Sequence, residues 1–152
     1  MKATINEVIR GATPEGLFEQ VSVLDHYPPW MRLVHRVAPL EADDGRLAWW
    51  VELRAKVGPL ARSKQLRMVR TVFEPGRRVR FDRVQHDDRD HAEWILTAAV
   101  GDQTEDGTYL TMHLEYTGEL WTSSILGRIL DDEVRRGSAA LSRVFSESAP
   151  MR

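Results

Sequence analysis

Between Leu33 and Tyr116, apolar and polar residues alternate with a period of two, the pattern of strands that bury one face. Turn signals interrupt this stretch and divide it into segments of about ten residues. The signals are Asp43-Asp44-Gly45, Gly58-Pro59, Pro75-Gly76, Asp87 to Asp90 and Glu105-Asp106-Gly107. Because connections this short join antiparallel neighbours, the stretch predicts a six-stranded meander.

Helical signals stand on both sides of the meander. After a short β-prone segment, Ala3 to Arg10, the run Thr13-Pro14-Glu15 has the composition of a helix start. We expect that helix to end near Tyr27-Pro28-Pro29, because proline lacks a backbone donor. Downstream, a helix is predicted from about Ser123 to Glu147. Its apolar stripe consists of Leu126, Leu130, Val134, Leu141 and Phe145.

These elements predict an α+β fold made of one domain over residues 1–152. Its seven-stranded antiparallel sheet has the order 1-7-6-5-4-3-2 and wraps around the long C-terminal helix. A short helical insert follows strand 1. One helix covers only part of so wide a sheet, so a pocket of a few hundred Å³ is expected between them.

The positions of the turns predict which residues share the inner face of the sheet. Three apolar rows result. They are Leu53, Met68, Arg83, Trp94 and Tyr116; Val51, Arg70, Phe81, Leu96 and Leu114; and Trp49, Val72, Val79, Ala98 and Met112. The opposite face carries mainly charged side chains, which we expect to be solvated.

Composition excludes several classes of function. The net charge of −2 argues against a nucleic-acid partner, because phosphate binding needs a basic excess. The absence of cysteine excludes disulfides and thiolate chemistry and fits a cytoplasmic location. No signal peptide and no apolar run of about 18 residues is visible, so stable membrane insertion is not expected.

Two groups of residues suggest chemistry, but neither has a recognisable geometry. Metal-ligating residue types cluster on one presumed hairpin tip, where acidic residues are ordinary turn formers; they are His86, Asp87, Asp88, Asp90 and His91. The serines and remaining histidines form no nucleophile elbow or triad order. We therefore expect no metal, no cofactor and no catalytic residue.

Two arginines fall in phase with the apolar face, and a buried cation needs a partner. Arg70 and Arg83 either anchor a ligand's carboxylate, phosphate or carbonyl, or they pair with protein carboxylates and extend to solvent. Trp94 and Tyr116 either line a pocket or fill the core. Gly137 interrupts the C-terminal stripe, which permits close packing or leaves room for a ligand.

The chain resembles the START-like superfamily, also called SRPBCC or helix-grip proteins, and in particular its polyketide cyclase/dehydrase branch. The resemblance lies in Ala12-Thr13-Pro14-Glu15-Gly16-Leu17-Phe18, in Leu24-Asp25-His26-Tyr27-Pro28-Pro29-Trp30, and in a meander that ends in a long helix. Members of the superfamily include lipid carriers, aromatases and hormone receptors. The resemblance implies a pocket beneath the C-terminal helix.

We therefore expect the chain to bind or carry a hydrophobic small molecule, a lipid or a polyketide-like compound. The alternative is an aromatase/cyclase-type enzyme, which would need a positioned acid or base inside the cavity. A protein-interaction role without a ligand would require a filled interior. The expected cavity residues are Leu53, Met68, Arg70, Phe81, Arg83, Trp94, Leu96, Met112, Tyr116 and Leu130.

Overall fold

The structure is a computed structural model that describes residues 2–57, 59–87, 89–118 and 123–148. For residues 57, 123–127, 130–131, 134 and 146–148 it describes the backbone alone. A 3-10 turn at Leu24–His26 follows the first helix. The strands and helices are β1 (Lys2–Arg10), α1 (Pro14–Val21), β2 (Val34–Asp43), β3 (Arg46–Val57), β4 (Leu60–Glu74), β5 (Arg78–Arg83), β6 (Trp94–Gln103), β7 (Gly107–Tyr116) and α2 (Ser123–Ser148).

The predicted architecture is confirmed. All neighbouring strands are antiparallel, and the order of the seven-stranded sheet is β1-β7-β6-β5-β4-β3-β2. α2 ends one residue beyond the predicted bound, at Ser148. The chain therefore has the helix-grip fold. No helix in the described ranges is long and apolar enough to cross a membrane.

The first helix is shorter than its apolar pattern predicts. Thr13 caps it as expected, since its hydroxyl oxygen accepts a hydrogen bond from the Gly16 N–H at 3.1 Å. The helix ends at Val21 because Val23 takes an extended conformation, with φ −130° and ψ 123°. Tyr27 then donates its hydroxyl proton to the Val21 carbonyl at 2.8 Å and holds this segment against α1.

Most of the predicted register is confirmed, since hairpins β5–β6 and β6–β7 pair as expected. Phe81 faces Leu96, and Leu96 faces Leu114. One pair, Val72 with Val79, is wrong. A bulge between Arg70 and Val72 shifts the strand, so that Phe73 faces Val79 instead.

The predicted pairing of β3 with β4 is also wrong. The connection between β3 and β4 is shorter than the predicted pairing required, because Val57 already pairs with Leu60. Leu53 therefore faces Lys64 instead of Met68. The shift is an even number of residues, so Leu53 keeps its inner face, and the hairpin becomes longer at its tip.

The close approach of α2 to Trp30 depends on Gly137. A Cβ on Gly137 would lie 2.8 Å from the carbonyl oxygen of Trp30 and 3.2 Å from its ring. Trp30 is buried and packs on Tyr27 with ring centroids 4.6 Å apart. Of the two roles open to Gly137, close packing is the one that it has here.

We predict that Gly137→Ala lowers the free energy of unfolding by about 1–3 kcal/mol, the usual cost of overpacking. At an open helix position the same change would add about 1 kcal/mol of stability. Urea or thermal unfolding measures the difference. The control is Ala139→Gly at an exposed position on α2, which should cost about 1 kcal/mol from helix propensity alone. A more stable Gly137→Ala protein would contradict the packing.

Candidate functional site: an apolar cavity under the inner face

An apolar cavity of about 40 Å³ lies on the inner face of the sheet. Strands β3, β4, β6 and β7 form its floor, and the segment between α1 and β2 forms a wall. Its described lining residues are all apolar in character: Leu24, Met31, Leu33, Val34, Val51, Leu53, Leu66, Met68, Trp94, Leu96 and Leu114. Such a lining can bury an apolar group. The described part of the lining contains no charged side chain.

Four of the predicted cavity residues line this space: Leu53, Met68, Trp94 and Leu96. The other apolar candidates lie elsewhere. Phe81 is fully buried, with its ring 5.6 Å from that of Trp49, and Met112 borders a separate void of about 10 Å³. Tyr116 packs on Trp94 with centroids 4.3 Å apart. The side chain of Leu130 lies outside the described residues.

The cavity is much smaller than predicted. A pocket of a few hundred Å³ was expected, and the space of about 40 Å³ has room for little more than one water molecule. The difference comes from Met31, Leu33 and Val34, which are buried against the sheet. This segment fills space that the sequence pattern left between sheet and helix.

Of the cavity-lining residues that the sequence analysis missed, the alternation of apolar and polar residues could have identified Leu66. Leu66 alternates in phase with Met68, and a corrected hairpin register would have included it. Met31 lies in an irregular segment, where no hydrophobic period gives its direction. Leu33 and Val34 are adjacent at the start of the alternating pattern, and alternation does not place two adjacent residues on the same face. Their inward position depends on contacts with α2 that local sequence does not encode.

Arg83 has partners within the protein. Its Nε donates to the Gln85 side-chain oxygen at 3.0 Å, and one terminal nitrogen donates to the Ala92 carbonyl at 3.2 Å. The other lies 3.2 Å from Nδ1 of His91, whose Nε2 lies 2.7 Å from Asp87. Burial lowers the pKa of Arg83, and the nearby Asp87 carboxylate opposes that shift. These contacts tie the loop after β5 to the sheet.

Arg70 is also held by the protein. It donates to the backbone carbonyl of Ser22 at 2.9 Å, and its guanidinium lies 4.0 Å from the centre of the Phe73 ring. Burial lowers the pKa of Arg70, and the arginine remains charged at neutral pH. Neither this arginine nor Arg83 is among the residues that line the cavity.

Lys64 is an inner-face cation that the sequence analysis did not single out. It pairs with Leu53 across the hairpin and alternates with Leu66, so it lies at the edge of the cavity lining. It is half-buried, and no hydrogen bond or ion pair to it is found within the described ranges. Burial lowers the pKa of Lys64, and repulsion from Arg83 adds to that effect.

An open cleft of about 610 Å³ adjoins the cavity, and Leu33 borders both spaces. Arg54 and Lys56 of β3 face α2 residues across it. Glu133 of α2 accepts hydrogen bonds from the backbone N–H groups of Arg32, at 2.6 Å, and Leu33, at 3.3 Å. A wider groove of about 750 Å³ lies between β1 and α2 and is lined largely by polar residues. Glu7 and Ser138 border both this groove and the void of about 10 Å³ beside Met112.

Of the residues in the predicted hairpin-tip cluster, His86, Asp87 and His91 pair with one another or with nearby residues, and Asp88 lies outside the described residues. Besides the contact between His91 and Asp87, His86 lies 3.0 Å from Asp43, which also accepts from Arg67 at 2.7 Å. The hydrogen bond from Arg67 is the main reason that the pKa of Asp43 is lowered. No group of three or more possible metal ligands is found in the part of the chain that the structure describes.

Comparisons with known proteins concern most of the chain. The family described as "Polyketide cyclase / dehydrase and lipid transport" matches residues 11–142. No curated protein sequence matches the chain.

Solved structures share the fold at low identity. The protein TTHA0849 from Thermus thermophilus superposes with a TM-score of 0.71 at 16% identity, over 98% of this chain and 100% of that one. A START superfamily protein from Mycobacterium smegmatis gives 0.67 at 15%, over 98% of both chains. The di-domain ARO/CYC StfQ of the steffimycin biosynthetic pathway gives 0.60 at 19%, over 96% of this chain and 50% of that one.

Proposed function

Because the chain belongs to the polyketide cyclase/dehydrase and lipid transport family, we propose that it binds and carries a hydrophobic small molecule in the apolar cavity on the inner face of the sheet. The observation that supports this most directly is the wholly apolar character of the described lining. Burying apolar ligand surface there contributes about 25 cal/mol per Å².

A bound ligand must enlarge the cavity. Compact ligand pockets occupy about 300–1,000 Å³, far more than the cavity of about 40 Å³ in this structure. Met31 and Met68 border the space, and unbranched methionine side chains change rotamer easily. A ligand of that size therefore displaces side chains that border the cavity in this structure.

Lys64 suggests the chemical class of the ligand. A half-buried ammonium group without a protein partner loses hydration without compensation. A carboxylate or phosphate at the edge of the cavity would restore the lost interactions, while an apolar body fills the space beside Leu53 and Leu66. An amphiphile with an acidic head, such as a fatty acid, fits this arrangement. We therefore propose Lys64, instead of Arg83, as the anchor for the acidic head.

The alternative, an aromatase/cyclase-type enzyme, needs an acid or base that reaches the substrate. The described lining offers only apolar side chains and the indole of Trp94. An apolar lining of this kind favours ligand binding over catalysis. The likeness to StfQ concerns the fold at 19% identity and gives no catalytic residue.

The cavity is tested by changing Leu66, which is almost fully buried in its lining. We predict that Leu66→Phe fills the space and lowers the affinity for a fatty acid or an apolar fluorescent dye by at least about tenfold. Leu66→Ala enlarges the space at a cost of about 2–5 kcal/mol in stability and keeps or improves binding. Dye titration on the folded variants measures both effects. Equal affinity in the two variants and the wild type would exclude this cavity.

The acidic head is tested by exchanging single cations for methionine. We predict that Lys64→Met weakens a fatty acid by about tenfold or more, the loss of one charged hydrogen bond, and leaves the matching fatty alcohol unchanged. Arg83→Met should instead lower the free energy of unfolding by about 1–3 kcal/mol, because Gln85 and Ala92 lose a hydrogen-bond donor. This variant should still prefer the fatty acid to the fatty alcohol as strongly as the wild type does. Calorimetry and thermal unfolding provide the readouts. If Arg83→Met lost the preference for the acid over the alcohol and Lys64→Met kept it, Arg83 and not Lys64 would be the residue that binds the acidic head.

A further inference from the structure

The β3–β4 hairpin projects from one end of the sheet. The last pair between β2 and β3 is Val34 with Leu53, and the last pair between β4 and β5 is Met68 with Arg83. The Arg54 N–H still donates to the Leu33 carbonyl at 2.9 Å, and beyond that bond, as far as Val57 and Leu60, the two strands pair only with each other. At about 3.3 Å per residue, this ribbon extends roughly 13 Å beyond the neighbouring strands.

The charge of this hairpin has one sign. Between Glu52 and Glu74 the sequence contains no acidic residue, and its charged positions there are Arg54, Lys56, Arg62, Lys64, Arg67 and Arg70. Arg54 and Lys56 lie on one face of the ribbon, and Arg62 and Lys64 lie on the other. None of these four forms an ion pair within the described ranges. The positive charge is local, since the whole chain has a net charge of −2.

The tip of the hairpin exposes an apolar group. Leu60 has 63% of its surface accessible, more than any of the other large exposed hydrophobic residues in the described part. Pro59 beside it is exposed as well. An apolar tip above a ring of cations is the arrangement that suits a membrane interface, where the apolar group enters the acyl boundary and the cations meet lipid phosphates.

We infer that the β3–β4 hairpin docks the protein reversibly on the anionic surface of a phospholipid membrane. A specific protein partner needs about 800 Å² of surface on each side, which a two-stranded tip with one exposed leucine does not offer. Arg54 and Lys56 also line the cleft that adjoins the apolar cavity. Docking would therefore bring that cleft to the lipid surface. The inference goes beyond ligand binding and does not require it.

Binding to vesicles tests the inference directly. The wild-type protein should bind phosphatidylcholine vesicles that contain phosphatidylglycerol, bind pure phosphatidylcholine vesicles far less, and dissociate as salt is raised. Leu60→Ser should weaken binding about tenfold. The pair Arg54→Glu and Arg62→Glu should weaken it by more than about tenfold.

The chain offers matched controls at the opposite end of the same strands. Leu47→Ser changes another exposed leucine, which is 43% accessible, near the β2–β3 turn. The pair Arg77→Glu and Arg78→Glu makes the same change in charge near the Pro75-Gly76 turn. Both control proteins should bind the anionic vesicles as the wild type does. All variants alter exposed side chains, and thermal unfolding checks that each is folded.

A single label shows which residue enters the lipid. Because the chain has no cysteine, Leu60→Cys provides one site for a polarity-sensitive dye, and Leu47→Cys provides its control. Emission from the Leu60→Cys protein should shift to the blue on anionic vesicles, and emission from the control should not. No vesicle binding by the wild type, or unchanged binding in the tip variants, would overturn the inference. Equal binding to soluble heparin with no effect of Leu60→Ser would overturn it too, and would indicate an acidic macromolecule instead.

Discussion

The site depends on how the segment from Trp30 to Val34 is held between α2 and the sheet. Trp30 fits under Gly137, where a methyl group would meet its carbonyl oxygen at 2.8 Å. One helical turn earlier, Glu133 accepts the backbone N–H groups of Arg32 and Leu33. These two contacts direct Met31, Leu33 and Val34 toward the inner face, where they reduce the cavity to about 40 Å³. The capacity for a ligand is thus linked to the packing of one helix on one irregular segment.

The cations near the inner face differ in whether the protein supplies partners for them. Burying a cation is costly unless hydrogen bonds and charges compensate it, and the protein compensates Arg83 and Arg70 in this way. Arg83 contacts Gln85, Ala92 and His91, and Arg70 donates to Ser22. Lys64 has no such partner in the described structure. Burial and repulsion from Arg83 both lower its pKa, which means that its charged form is destabilised there. The proposed acidic ligand would supply the missing interaction.

Sequence predicted the fold well because the relevant signals are local. Alternation and turn residues determine strands and their order, and even the face of Leu53 was right when its partner was wrong. The bulge after Arg70 and the pairing of Val57 with Leu60 changed the register, since neither leaves a periodic signal. The cavity was predicted less well, because its volume depends on where an irregular segment packs. Arginine partners such as Gln85 and Ser22 are likewise tertiary contacts that no spacing reveals.

The most direct test of hydrophobic ligand binding is native mass spectrometry of the purified wild-type protein, alongside the folded Leu66→Phe variant. The account predicts a population of wild-type protein with the added mass of one hydrophobic, acidic small molecule, which denaturing conditions release and which the variant lacks. Wild-type protein that carries no ligand, and that takes up none from a library of fatty acids and aromatic polyketides, would contradict it.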